Sequence, residues 1–137
     1  MEFVAWWGAL VSTALAGIRI YELLRDRFRI DVGANLTGDP DVGNEIIIRN
    51  LSSYPIILQF WEVGWLSGYR PFRSFTSFVT PEPDAHDHKI DARSSHSIKF
   101  TEIHHFDWGI ESLDSRQIYI RLHVVGRKPI LKHVYGR

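Results

Sequence analysis

From Phe3 to Ile18 the chain reads FVAWWGALVSTALAGI, an apolar run with no charged side chain. Arg19, Glu22, Arg25, Asp26, Arg27 and Arg29 then arrive within eleven residues. As a helix the run is about 24 Å long, short of a hydrocarbon core of about 30 Å. Ile20, Tyr21, Leu23 and Leu24 extend it, because Arg19 can keep its methylene stem in the acyl region while its guanidinium reaches the headgroups. The pattern predicts a single-pass transmembrane helix over about 3–24, with Trp6 and Trp7 at one interface and Tyr21 at the other.

Other readings of this run fit less well. A cleaved signal peptide accounts for the apolar stretch and for the small-residue site Ala14-Leu15-Ala16, but it expects a basic leading segment where this sequence reads Met-Glu-Phe. A soluble core helix normally carries polar residues on one face, and here only Ser12 and Thr13 qualify. A helix lying flat in the headgroups needs a strongly polar face, which positions 3–18 lack.

Past residue 28 the period changes from helical to alternating. Phe28, Ile30, Val32, Ala34 and Leu36 share one face of a first strand, and GDPDVG at 38–43 is turn chemistry. Further strands are expected over Asn44–Asn50, Ile56–Leu66, His88–Ala92, Ser97–Thr101, a segment with Ile118, Ile120, Leu122 and Val124 on one face, and Pro129–Tyr135. Asp107 is positioned to cap a helical turn near 108–113. About seven short strands in 110 residues predict a mainly β domain, an immunoglobulin-like antiparallel β-sandwich. The expected organisation is an anchor with a basic juxtamembrane collar over 1–27 and a sandwich domain over 28–137.

Charge sets the orientation. Arg19, Arg25, Arg27 and Arg29 lie after the run and only Glu2 before it, so the positive-inside rule predicts the N-terminus outside and the domain in the cytoplasm. Those four arginines are the expected membrane-surface residues. The 16 Lys and Arg balance 16 Asp and Glu, with three of each ahead of residue 28, which argues against nucleic acid as a partner. After Asp114, however, Arg116, Arg121, Arg127, Lys128, Lys132 and Arg137 follow with no acid. Joined to the collar, they would form a basic surface toward anionic headgroups.

Three sets of residues carry candidate function. Ala5, Ala9, Thr13 and Gly17 recur every four residues, with Gly8, Ser12 and Ala16 beside them, a face on which a second helix can approach closely. In IILQFWEVGWLSG, apolar residues fall on both strand faces, so Trp61, Val63 and Trp65 need a cover, either the aromatic run YRPFRSFTSF at 69–78 or a partner protein. His86, His88, His104 and His105 are the right chemistry for a transition metal, close to Glu82, Asp84, Asp87, Asp91 and Asp107.

There is no cysteine, hence no disulfide and no thiolate site. No G-x-S-x-G elbow and no phosphate-cradling glycine loop occurs. The expectation is therefore a non-catalytic membrane-anchored binding module with no cofactor, an accessory or scaffold subunit that meets a membrane protein partner or its own copies through the helix. Two alternatives are a membrane-tethered metal-dependent hydrolase built on the four histidines and a lipid-surface-binding module. Asn35 and Asn50 head N-x-S/T triplets that matter only if the domain faces a glycosylating lumen.

Overall fold

The computed structural model describes residues 2–82, 87–114 and 116–136. Helix α1 spans Glu2–Arg25 without a break. Among the described residues eight strands follow: β1 (Ile30–Asn35), β2 (Asn44–Asn50), β3 (Ile56–Ser67), β4 (Ser74–Val79), β5 (His88–Ile90), β6 (Ser95–Phe100), β7 (Gln117–Val124) and β8 (Ile130–Tyr135). Between β6 and β7 lie a 3₁₀ turn, Glu102–His104, and a single helical turn, α2 (Ile110–Leu113). The cap of α2 is Gly109 rather than Asp107, whose carboxylate accepts the Gly109 N–H at 3.1 Å.

The strands form two antiparallel sheets, β1-β2-β6 and β4-β3-β7-β8, with β5 also paired to β3. Because β3 is twelve residues long, one of its edges serves two neighbours: β5 at Ile56–Leu58 and β4 from Val63 onward. Its other edge pairs β7 along most of its length. β4 was not expected as a strand. Its segment overlaps the aromatic run at 69–78 anticipated as a cover, and only pairing to β3 distinguishes it from a loop.

One core joins the sheets. Ile46, Ile48 and Phe100 of the first sheet share it with Val63, Ile118, Ile120 and Leu122 of the second, all essentially inaccessible. The alternation along β7 places Ile118, Ile120, Leu122 and Val124 inward as the sequence pattern predicts. Turn chemistry closes the far end of β2, where Gly43 adopts φ +79° and a side chain would meet the Phe100 carbonyl oxygen at 2.7 Å.

Two buried asparagines hold the ends of β2. Asn44 accepts the Thr37 N–H at 2.9 Å and donates to the Phe106 carbonyl at 2.8 Å. Asn50 donates to the carbonyls of Tyr54, Ile90 and Asp91 and accepts the Ser52 N–H at 3.0 Å. Asn50 thereby ties the end of the first sheet to the turn between β5 and β6.

Candidate functional site

Helix α1 is long and apolar enough to cross a membrane, with a mean hydropathy of 1.5 in its 18-residue apolar window and none of that window buried against the domain. A signal sequence meets the same criterion of length and composition. Phe3 is 81% exposed and Trp6 71%, values that belong to an apolar surface awaiting a nonaqueous neighbour. The small-residue positions Ala5, Gly8, Ala9, Ser12, Thr13, Ala16 and Gly17 are all exposed, and Gly8 and Gly17 face open space. Thr13 donates its hydroxyl to the Ala9 carbonyl at 2.8 Å, so its polar group is satisfied within the helix.

The connection from α1 to the β domain is held at several points. Asp26 accepts the Ser53 hydroxyl at 2.7 Å. The Arg29 backbone N–H donates to the Ser52 hydroxyl oxygen, and its carbonyl accepts the Leu51 N–H at 2.9 Å. The Phe28 ring lies under the Arg127 guanidinium, and Arg127 donates to the Tyr54 hydroxyl at 2.9 Å. Helix end, β2–β3 turn and β7–β8 turn therefore converge on one spot.

Strand register sorts the loops into two ends. The pairings Ile30 with Asn50, Ile56 with Ile90, Leu58 with Val124 and Leu122 with Ile130 put the collar, the β2–β3 turn, the β5–β6 turn and the β7–β8 turn at the end of the domain next to α1. Arg27, Arg29, Arg93, Arg127 and Lys128 are exposed there. Its acids are engaged: Asp26 by Ser53, Asp31 by Arg49 at 3.1 Å, and Asp91 by Lys89 at 3.4 Å. A concave pocket of about 790 Å³ opens at this end between β1 and β8, lined by Arg27, Arg29 and Lys132 together with Leu24, Ile30 and Ile130.

The basic run after Asp114 does not act as one surface. Lys132 joins the collar and Arg127 and Lys128 share its end, but Arg116 lies over the Trp65 ring and Arg121 over Phe75. Arg137 lies outside the described residues. Strand direction is the reason: consecutive basic residues along β7 and β8 are carried to different ends and faces of the second sheet.

Trp61, Val63 and Trp65 point inward, which corrects their reading as an outer face. Val63 is fully enclosed; Trp61 is half-buried edge-on to Phe100, and Trp65 is half-buried against Phe78 of β4. A register shift between Leu58 and Phe60 inserts one extra residue, so Leu58 and Trp61 face the same side. The cover comes from the same domain, from β4 and Phe100.

On the outer face of the second sheet, Glu62 accepts from Arg121 Nε at 2.6 Å and His123 Nε2 at 3.1 Å. The Arg121 hydrogen bond foremost, and then that of His123, hold the Glu62 carboxyl below its ordinary value against the opposing effect of burial. This three-residue group is spread over β3 and β7 and gives no motif in the linear sequence.

The histidines are dispersed. His86 lies outside the described residues, His88 stacks on His96 with ring centres 3.7 Å apart, and His105 bonds the Thr37 carbonyl at 3.0 Å. Burial first, and then the neighbouring His88, push the His96 imidazole below its ordinary value. Among the described residues no three His, Asp or Glu side chains are grouped to hold a metal. No protein family, no characterised protein and no solved structure matches this chain.

Proposed function

We propose that this protein is a membrane-anchored, non-catalytic binding module: α1 spans the bilayer, and the β domain stands at the cytoplasmic surface as an accessory or scaffold subunit of a membrane assembly or of a homo-oligomer. The observation that carries this reading is the contrast between the two parts of the chain. The sandwich encloses its own core, whereas the apolar surface of α1 has no cover among the described residues. Lipid, or lipid and a second helix, is the cover that fits. The unbroken helix through Ala14-Leu15-Ala16, continued into a tied junction at Asp26 and Arg29, supports a retained anchor over a cleaved leader.

The strand order supports an immunoglobulin-like reading of the domain. Taken in chain order, β1, β2 and β6 occupy the places of strands A, B and E, and β4, β3, β7 and β8 those of C′, C, F and G. The departure is β5, which pairs β3 instead of extending the first sheet.

Two measurements test the proposal. Alkaline extraction of membranes should leave the full chain in the pellet, and release into the supernatant would refute the anchor. Replacing Ala9 and Thr13 together by leucine should weaken association, read by crosslinking in detergent, without releasing the chain from membranes. Unchanged association would remove the small-residue face from the proposal.

A further inference from the structure

The pocket where α1 meets the sandwich is formed by side chains that lie far apart in sequence. β1 and β8 are the edges of their respective sheets, and the pocket lies between them, beneath the last turn of α1. Ile130, Lys132 and Val134 alternate on the half-buried inner side of β8, so a lysine occupies a position whose neighbours pack on the core. An inward charge on an edge strand can serve to block pairing with another sheet. That explanation covers Lys132 but not Arg27 and Arg29, which line the same hollow from the collar.

Among the described residues, none of these three cations makes an ion pair, although Asp31 lines the pocket with them, because Asp31 is engaged by Arg49. Three unpaired cations around an apolar floor of Leu24, Ile30 and Ile130 call for an anion attached to something apolar.

We propose that this pocket binds the phosphate headgroup of an anionic phospholipid from the leaflet into which α1 inserts. The inference rests on the anchor reading, which sets the pocket at headgroup level because Leu24 belongs both to the apolar helix and to the pocket wall. Arg27, Arg29 and Lys132 receive the phosphate, and the acyl chains run along the exposed side of α1. A volume of about 790 Å³ accommodates a headgroup with its glycerol. The bound lipid thus completes the junction already tied by Asp26, Phe28 and Arg29, and makes the attitude of the sandwich depend on lipid charge.

The test is native mass spectrometry of the full-length chain in detergent, offered equal amounts of phosphatidylglycerol and phosphatidylcholine. Preferential retention of phosphatidylglycerol that weakens with added salt is expected. Each cation near an anionic headgroup contributes about a fivefold preference, so Arg27→Gln or Lys132→Gln lowers it about fivefold and the triple change with Arg29→Gln by about a hundredfold. The control triple Arg25→Gln, Arg93→Gln, Lys128→Gln changes cations of the same end outside the pocket, and it should retain most of the preference. Far-UV circular dichroism verifies folding, and the single variants decide the matter where the triple one is unfolded.

Equal retention of both lipids overturns the proposal, as does an equal loss in the control triple, which would indicate a diffuse basic surface. Displacement of lipid by millimolar inorganic phosphate overturns it in favour of a soluble anion. Alkaline extraction of the membranes before they are solubilised separates the two levels: a chain lost from the membrane pellet refutes the anchor and the pocket's ligand together, whereas a retained chain without lipid preference refutes the pocket alone.

Discussion

The Arg127 guanidinium carbon stands 3.9 Å from the centre of the Phe28 ring. Phe28 is close behind the helix and Arg127 lies in the β7–β8 turn, so the contact joins the exit of α1 to the far end of the chain. The same guanidinium reaches the Tyr54 hydroxyl, which brings in the β2–β3 turn. Arg127→Ala should cost about 1 kcal/mol of stability in the full chain. Hydrogen exchange should quicken selectively at residues 26–30 and 51–54, and unchanged exchange there would mean that the junction is held by Asp26 and Arg29 without it.

Asn50 makes four side-chain hydrogen bonds at the end of the domain next to α1. Asn50→Ala leaves the Tyr54, Ile90 and Asp91 carbonyls and the Ser52 N–H without this partner, and about 2–4 kcal/mol should be lost. Thermal melting followed by near-UV circular dichroism measures it. A drop comparable to that of an exposed polar substitution would show that the turn re-forms its bonds with water.

The two N-x-S/T triplets differ in accessibility, which makes one of them a topology reporter. Asn50 is wholly inaccessible, whereas Asn35 is exposed, with its side chain bonded to Glu45. If the domain is cytoplasmic, as proposed, the chain expressed in a glycosylating cell should carry no glycan. A glycosidase-sensitive mass increase at Asn35 would reverse the proposed orientation while leaving the anchor intact.

Acid should act on the domain through Glu62 and His96. Glu62 has its carboxyl held below the ordinary 4.5, so its contribution to stability is complete above that value and is lost as pH falls through the folded-state value. His96 is held below the ordinary 6.5, so the unfolded chain takes up this proton first and stability declines as pH drops from about 6.5. His96→Gln should therefore reduce the difference in melting temperature between pH 7.5 and 5.5, and Glu62→Gln should flatten the profile only at lower pH. Identical profiles for variant and parent would remove either group from the account.

Gly64 of β3 pairs with Ser77 of β4, beside a register shift in that ladder. A side chain there would meet the Thr76 carbonyl oxygen and, at 2.8 Å, the Phe75 ring. Gly64→Ala should destabilise the chain by about 1–3 kcal/mol and release β4, seen as faster exchange over 74–79. An alanine variant with parental stability would show that β4 yields without penalty.

Much of the fold is legible in the order of residues. Period-two alternation in Asn44–Asn50 and Gln117–Val124 marks those strands and their inner faces, and the uncharged run marks α1, because each property depends only on near neighbours. β4 and the inward turn of Trp61, Val63 and Trp65 were not legible. The first depends on pairing to a strand earlier in the chain, and the second on one extra residue between Leu58 and Phe60 that exchanges the faces of everything after it.

The site divides in the same way. The sequence by itself determined that a long apolar helix is followed by a basic collar and a β-rich domain, since hydropathy and charge are properties of single residues. Only the tertiary structure decided that Lys132 joins Arg27 and Arg29 while Arg116 and Arg121 do not, and that Asn50 is bonded on all sides. Those relations are set by the register of paired strands, which brings together residues a hundred positions apart and separates near neighbours to opposite faces.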